Sequence, residues 1–467
     1  MDPLTLILLI LCLTIALGFE FVNGFHDTAN AVATVIYTRS LKPTVAVIWS
    51  GLVNFLGTMS VLTAGAAVAF KIVNLIPTDL LTSVNGPVGI WMILSILFTA
   101  VFWNLLTWYF GIPASSSHTL IGSILGVGLA AGFVQGKGWG GLNADKTLET
   151  LQWLLYSPLI GFAAAGVLYL IARALLKNRP ELFRAPDGDQ PPPWPVRLLL
   201  IGTCTGVSYA HGSNDGQKGI GLIMLALIAF LPSQFTVNPA FQNTEIQKAI
   251  VQIHEARPLL ENAKFSDKGL TEKAQKAAAD LADLESRIAG KTSLSSLSVA
   301  DKADVRGDIL KVNSTLKKVA KAPETSKADG KIFDGLRESL SGAVEFVAWW
   351  VIILVALALG VGTNIGWKRV VVTVGEKIDR RHITYAQGAT AELVAMITIL
   401  LATKIGAPVS TPHVVSSGIA GTMAASGAGV QLKTVRTLLL AWVLTLPVTI
   451  LISAGLFWLT AGRFLAK

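Results

Sequence analysis

The sequence predicts an all-α polytopic membrane protein made of two inverted-topology repeats, with broken helices, re-entrant hairpins and a helical soluble insert. Three observations carry that expectation. The 467-residue chain is 52% hydrophobic and only 14% charged, with a mean hydropathy of +0.58, and its apolar runs exceed what a soluble core needs. The stretch Asn23-Gly24-Phe25-His26-Asp27-Thr28-Ala29-Asn30 is echoed by His211-Gly212-Ser213-Asn214-Asp215-Gly216-Gln217-Lys218. A second pair, Gly111-Ile112-Pro113-Ala114-Ser115-Ser116-Ser117-His118 and Gly406-Ala407-Pro408-Val409-Ser410-Thr411-Pro412-His413, also occurs once per half. Polar, helix-breaking motifs repeated at membrane depth are the trace of a duplicated unit built around a midplane site.

In chain order, apolar segments able to cross or enter a hydrocarbon layer about 30 Å thick lie near 4–36, 44–70, 88–110, 118–134, 152–172, 198–232, 342–366, 386–403, 414–429 and 437–461. Met1-Asp2-Pro3 followed by Leu4 to Leu17 lacks a basic leader and a small-residue cleavage site, so it reads as a retained first span. Segments 4–36 and 198–232 carry Asp27 and Asp215 near their middles, where a break in the helix is expected. Segments 118–134 and 414–429 are short and follow the Pro-Ser motifs, as re-entrant hairpins would. Cys12 and Cys204 both lie in apolar segments and read as packing residues.

With the first span running inward, fourteen basic residues face the cytoplasm: Arg39, Lys42, Arg173, Lys177, Arg179, Arg184, Arg197, Lys368, Arg369, Lys377, Arg380, Arg381, Lys433 and Arg436. Five, Lys71, Lys137, Lys146, Arg463 and Lys467, fall outside. The asymmetry predicts both termini outside and makes the two halves inverted copies. The expected domains are a first membrane repeat, 1–176; a Pro-rich cytoplasmic linker, 177–196, ending in Pro191-Pro192-Pro193-Trp194-Pro195; and the first broken helix of the second repeat, 197–232. A soluble, mostly helical, periplasmic insert, 233–340, and the rest of the second repeat, 341–467, complete the chain. Within the insert, residues 241–340 hold 17 Lys/Arg and 15 Asp/Glu, with helical spacing at Leu281, Leu284 and Ile288. It reads as a spacer or a partner-binding module.

Asp27 and Asp215, beside the amides of Asn23, Asn30, Asn214 and Gln217, offer carboxylate and amide oxygens to a cation or proton. The plainer alternative is that each Asp caps a helix starting at the break. Ser115, Ser116, Ser117, Ser410 and Thr411 follow prolines at the starts of short helices, where hydroxyls and free N–H groups favour an anion such as phosphate or sulfate; simple capping or interhelical packing competes with that reading. Four of six histidines, His26, His118, His211 and His413, fall in these motifs and can take a proton, ligate a metal or hold a hydroxyl. Lys218 can pair with Asp215 or meet an anionic substrate, Lys404 is a second ammonium in an apolar segment, and Glu392 is a third buried-acid candidate.

At these residues the chain resembles the Pit-type inorganic phosphate transporter family, and more closely its bacterial low-affinity branch. The resemblance rests on Gly24 to Thr34, Gly111 to Gly122, Ala210 to Gly221, Thr373-Val374-Gly375-Glu376-Lys377-Ile378 and Gly406 to His413, and it covers both membrane halves. It implies phosphate uptake across the cell inner membrane through an inverted-repeat fold. It assigns a coupling-ion role to Asp27, Asn30 and Asp215, and phosphate contact to Ser115, Ser116, Ser410 and Thr411. Where many relatives carry Asn-Asp-x-Ala-Asn twice, this chain has His26 for the first Asn and Gln217-Lys218 for the second Ala-Asn, and Pro412 replaces a hydroxyl residue. Losing neutral oxygen donors weakens a sodium cage, so H+ is the favoured coupling ion, with Na+ the alternative.

Two fixed carboxylates would repel a free dianion, so a proton, Lys218 or a co-transported divalent cation such as Mg2+ must intervene. An enzyme is not expected: a Ser117–His118–Asp27 hydrolase would not require duplicated groups, and the chain has no Gly-rich loop ending in Lys-Ser/Thr for ATP. The other readings are a sulfate carrier and a divalent-metal permease. The expected partners are inorganic phosphate, H+ or Na+, a divalent cation and the lipid bilayer. A homo-oligomer is compatible with the sequence, and no cofactor or nucleic acid is expected.

Overall fold

A computed structural model describes residues 2–81, 88–112, 114–184, 186, 190–367, 383–427 and 432–462. Pro113, the Thr373 to Ile378 motif and the basic residues Lys368, Arg369, Lys377, Arg380, Arg381, Arg463 and Lys467 lie outside them. Every long element among the described residues is an α-helix: α1 (Pro3–Tyr37), α2 (Pro43–Met59), α3 (Val88–Tyr109), α4 (Ser116–Val134), α5 (Ala144–Leu175), α6 (Trp194–Phe230), α7 (Asn243–Glu261), α8 (Lys268–Ile288), α9 (Val299–Val319), α10 (Lys327–Val344), α11 (Trp349–Thr363), α12 (Tyr385–Lys404), α13 (Thr411–Ser426) and α14 (Leu432–Phe457). Seven described helices are long and apolar enough to cross a membrane, including α1, α3, α4, α5 and α12.

The chain divides into two compact units, Met1–Ile76 with Ile90–Ala226 and Val347–Lys467, and Pro77–Gly89 with Leu227–Phe346. The second contains the charged insert. Helices α7 to α10 are amphipathic, and the apolar faces bury Ile253, Leu281, Leu284, Val312 and Leu336 together. Side chains of Asp267, Ser298 and Ser326 cap three of these helices. Arg306 is 2% exposed and donates to the carbonyls of Thr236 (3.1 Å) and Val344 (2.8 Å), tying the two ends of the insert together. Burial pulls its guanidinium down to about 10.

The apolar unit shows a reciprocal arrangement. Helix α4 of the first half packs on α14 of the second, and α13 of the second packs on α5 of the first. Small residues allow both contacts: Gly122 and Gly126 lie against Thr449 and the Ile450 carbonyl, and Ser417 and Gly421 lie against Gly161 and the Phe162 carbonyl. The Pro-Ser motifs match in backbone as well as in sequence. Gly111 and Gly406 have φ of 62° and 72°, a left-handed turn that glycine adopts at little cost. Ile112 N donates to Thr107 O as Ala407 N donates to Ala402 O, and Ser115 and Ser410 then cap α4 and α13 by accepting from the N–H groups of His118 and His413.

One expectation differs. Asp27 and Asp215 do not sit in breaks: α1 and α6 run unbroken for 35 and 37 residues. Their backbone groups stay satisfied within the helix, and the polar atoms that gather around each Asp are side chains. Glycines replace the break. Gly212 lies against the Asn54 carbonyl and Gly57 against that of Tyr209, so α2 and α6 approach closely enough for side chains to meet across them. At about 1.5 Å per residue each helix exceeds a hydrocarbon layer of about 30 Å and must tilt or extend beyond it.

Candidate functional site

The two Asp residues and the two hairpin tips meet in one buried cluster. Asp27 and Asp215 are 1% and 0% exposed. Each takes a hydroxyl from the first turn of its own half's hairpin helix: Ser116 Oγ donates to Asp27 Oδ2 (3.1 Å) and Thr411 Oγ1 to Asp215 Oδ1 (3.4 Å). Lys218 closes the group. Its ammonium donates to Asp215 Oδ1 (2.8 Å), Ser117 Oγ (2.5 Å) and the Val409 carbonyl (2.6 Å). Ser117 Oγ donates in turn to Val409 O (2.9 Å), so the tip of one hairpin is bonded to the tip of the other.

The histidines split into two pairs. His26 Nδ1 donates to Asp27 Oδ1 (3.1 Å), and Nε2 faces Thr107 Oγ1 (3.3 Å). For His211 the neighbours fix the tautomer. Thr363 Oγ1 donates to Leu359 O (2.9 Å) and accepts from Asn54 Nδ2 (3.1 Å), so Asn54 Oδ1 faces His211 Nδ1 (2.9 Å) and accepts from it. A neutral His211 therefore turns a bare Nε2 lone pair toward Asp27 Oδ2 and Asp215 Oδ2, 3.7 Å from each. Neither Nε2 nor Asp215 Oδ2 has a hydrogen-bond partner. The donor atoms of Asp27, His211 and Asp215 lie within 4.8 Å of one another, which leaves a point roughly 2–3 Å from each, the range of metal–oxygen and metal–nitrogen bonds.

His118 and His413 face elsewhere. Their ring centroids lie 4.4 Å apart with the planes tilted by 44°, and the His413 ring lies 4.1 Å from that of Trp442. Both line an apolar cavity of about 620 Å³ with Leu154, Pro158, Leu439 and Val443.

The amides also divide. Asn214 donates to Thr403 Oγ1 and Ala407 O and accepts from Val409 N, which latches the second hairpin. Gln217 accepts from Val68 N (2.9 Å) and donates to Ser213 O. The oxygens of Asn23 and Asn30 have no hydrogen-bond partner, while their amide nitrogens face Glu20 Oε2 (3.4 Å) and Asp27 O (3.1 Å). Glu392 is fully buried, away from the cluster, accepting from Thr203 Oγ1 (2.6 Å). Lys404 lies exposed in the last turn of α12, where a cation suits the helix end.

Asn54 and Glu20 escaped the sequence reading. Each is a polar residue alone in an apolar run, and that is the signal that marks them; neither belongs to a duplicated motif.

Comparisons with known proteins agree with one another. The profile of the family described as "Phosphate transporter family" matches residues 23–453. The chain is similar to "Low-affinity inorganic phosphate transporter PitA" of Escherichia coli (strain K12), 42% identical with 98% of each chain covered. It is similar to "Probable low-affinity inorganic phosphate transporter" of Bacillus subtilis (strain 168), 31% identical with 96% of each covered. A solved structure, "The sodium-dependent phosphate transporter", shares the fold with a TM-score of 0.55 at 21% identity, covering 97% of this chain and 98% of that one.

Proposed function

Since the chain belongs to the phosphate transporter family, we propose that it imports inorganic phosphate by proton symport through alternating access, with phosphate also entering as a neutral complex with a divalent cation. The observation that carries this reading is the meeting of both hairpin N-termini at one ammonium. Ser117 Oγ, Val409 O and Asp215 Oδ1 all bond to Lys218 Nζ, where the first turns of α4 and α13 offer hydroxyls and a positive helix end to an anion. Phosphate arriving there would draw Lys218 away from Asp215 and take up the Ser116, Ser117 and Thr411 hydroxyls. Released from the lysine, Asp215 would be balanced by a proton or by a cation.

The divalent cargo is supported by the convergence of Asp27, His211 and Asp215. A cation held there would offset both carboxylates and sit beside the phosphate contacts. Because the cluster is buried throughout, the described arrangement is closed to solvent, and exchange with either side requires the hairpins to separate. The bond from Ser117 to Val409 O is one that opening would break.

Transport of labelled phosphate by Asp27→Asn and Asp215→Asn, at wild-type membrane level, tests the scheme. Both are expected to lose uptake; wild-type rates in both would overturn it. Excess sulfate separates the oxyanions, because phosphate titrates near neutral pH and sulfate does not. Phosphate uptake untouched by sulfate supports the proposal, and full competition points to a general oxyanion carrier.

A further inference from the structure

Glu20 is a buried acid that the phosphate and cation contacts leave unused. It lies on α1 seven residues before Asp27, two helical turns and about 10 Å away on the same face. It is 0% exposed, Oε1 has no hydrogen-bond partner, and Oε2 has only the Asn23 amide at 3.4 Å. Gly219 of α6 packs directly on the carboxyl group, so closely that a Cβ there would collide with it. The charged groups near enough to act on Glu20 are Asp215, Lys218 and Asp27. Lys218 is already committed to Asp215, Ser117 and Val409.

The other helices packed on α1 add one cation among the described residues, Lys404, which lies exposed at the end of α12 and is not among the charges acting on Glu20. Helices α2 and α11 contain no titratable side chain; Glu392 of α12 is held by Thr203; and the rings of His118 of α4 and His413 of α13 lie against each other. A glutamate so placed makes no bond that glutamine would fail to replace, since the amide oxygen of glutamine can accept from Asn23 in the same way. What glutamate alone supplies is a site that gains and loses a proton.

We propose that Glu20 carries the coupling proton, taking it up as the loaded transporter closes and releasing it before the empty transporter returns. The inference rests on the proton-symport reading. It separates two duties within one cluster: Asp27, His211 and Asp215 take the cation, and Glu20 takes the proton two turns away. On the charge-based orientation, Glu20 lies on the outer side of Asp27, where a proton entering with phosphate arrives first.

Proteoliposomes holding the full chain distinguish the roles. Glutamine imitates the protonated acid, so Glu20→Gln should carry loaded phosphate in both directions. It cannot release the proton that lets the empty carrier return. The expected result is exchange of labelled for unlabelled phosphate at the wild-type rate, no longer dependent on pH, with loss of accumulation driven by a pH gradient. Glu20→Asp should restore part of the accumulation, which a packing role would not predict. Retention of both activities in Glu20→Gln overturns the proposal, and so does loss of both at wild-type thermal stability. A wild-type protein that exchanges phosphate but ignores the pH gradient overturns proton symport itself, and one that does not exchange phosphate overturns the substrate.

Discussion

Replacing Lys218 by methionine removes the cation that joins the second Asp to both hairpin tips. The side chain is 2% exposed and its ammonium makes three bonds, to Asp215, Ser117 and Val409 O. Methionine keeps much of the volume, so the cost is chiefly electrostatic. Asp215 Oδ1 would retain only the Thr411 hydroxyl at 3.4 Å, and Oδ2 has no hydrogen-bond partner to begin with. Breaking a buried ion pair by deleting one member costs roughly 3–5 kcal/mol, whereas neutralising both members is often close to neutral. Lys218→Met is therefore expected to destabilise by about 3–5 kcal/mol, and adding Asp215→Asn to recover roughly 2–3 kcal/mol as coupling energy. Denaturant unfolding in mixed micelles, followed by circular dichroism across the four-variant cycle, measures this. Transport should stay lost in the double variant even as stability returns. If the two single costs add to within about 0.5 kcal/mol, the ion pair is not the link described.

Other substitutions probe separate contacts. Gly421→Leu places a side chain against the Phe162 carbonyl in the α13–α5 contact and should abolish folding, while Gly421→Ala should cost about 1–3 kcal/mol; size-exclusion of the detergent-extracted protein on heating reads both. Arg306→Ala leaves two buried carbonyls, of Thr236 and Val344, without their donor and should destabilise the insert by roughly 2–5 kcal/mol, seen as earlier proteolysis within 241–340. Asn54→Leu removes the acceptor that fixes His211 and should weaken the preference for divalent-cation phosphate more than uptake of phosphate alone, measured with and without magnesium.

The hairpins were legible because a turn of this kind depends on local chemistry: a glycine with positive φ, a proline and a capping serine fall in fixed order, and the second copy repeats them. The apolar helices were legible for the same reason, since hydropathy acts residue by residue. What the sequence concealed was set by neighbours distant along the chain. Asn214 and Asn30 both belong to the Asp motifs, yet Thr403 and Val409 occupy the first while the oxygen of the second has no partner. His118 and His413 carry the same motif logic as His211, but their rings face each other, Trp442 and an apolar cavity. The expected breaks at Asp27 and Asp215 did not form: close approach at Gly57 and Gly212 between α2 and α6, and at Gly24 against the Leu359 carbonyl of α11, brings side chains together without opening the backbone. Glu20 belongs to neither duplicated motif, so duplication does not mark it.

The most direct measurement is uptake of labelled phosphate into proteoliposomes, under an imposed pH gradient without sodium and then under a sodium gradient without a pH difference, each with and without magnesium. Accumulation that follows the pH gradient and rises with magnesium is the predicted result. Accumulation that follows sodium alone would contradict the proton-coupled account, and no accumulation under either gradient would contradict phosphate import.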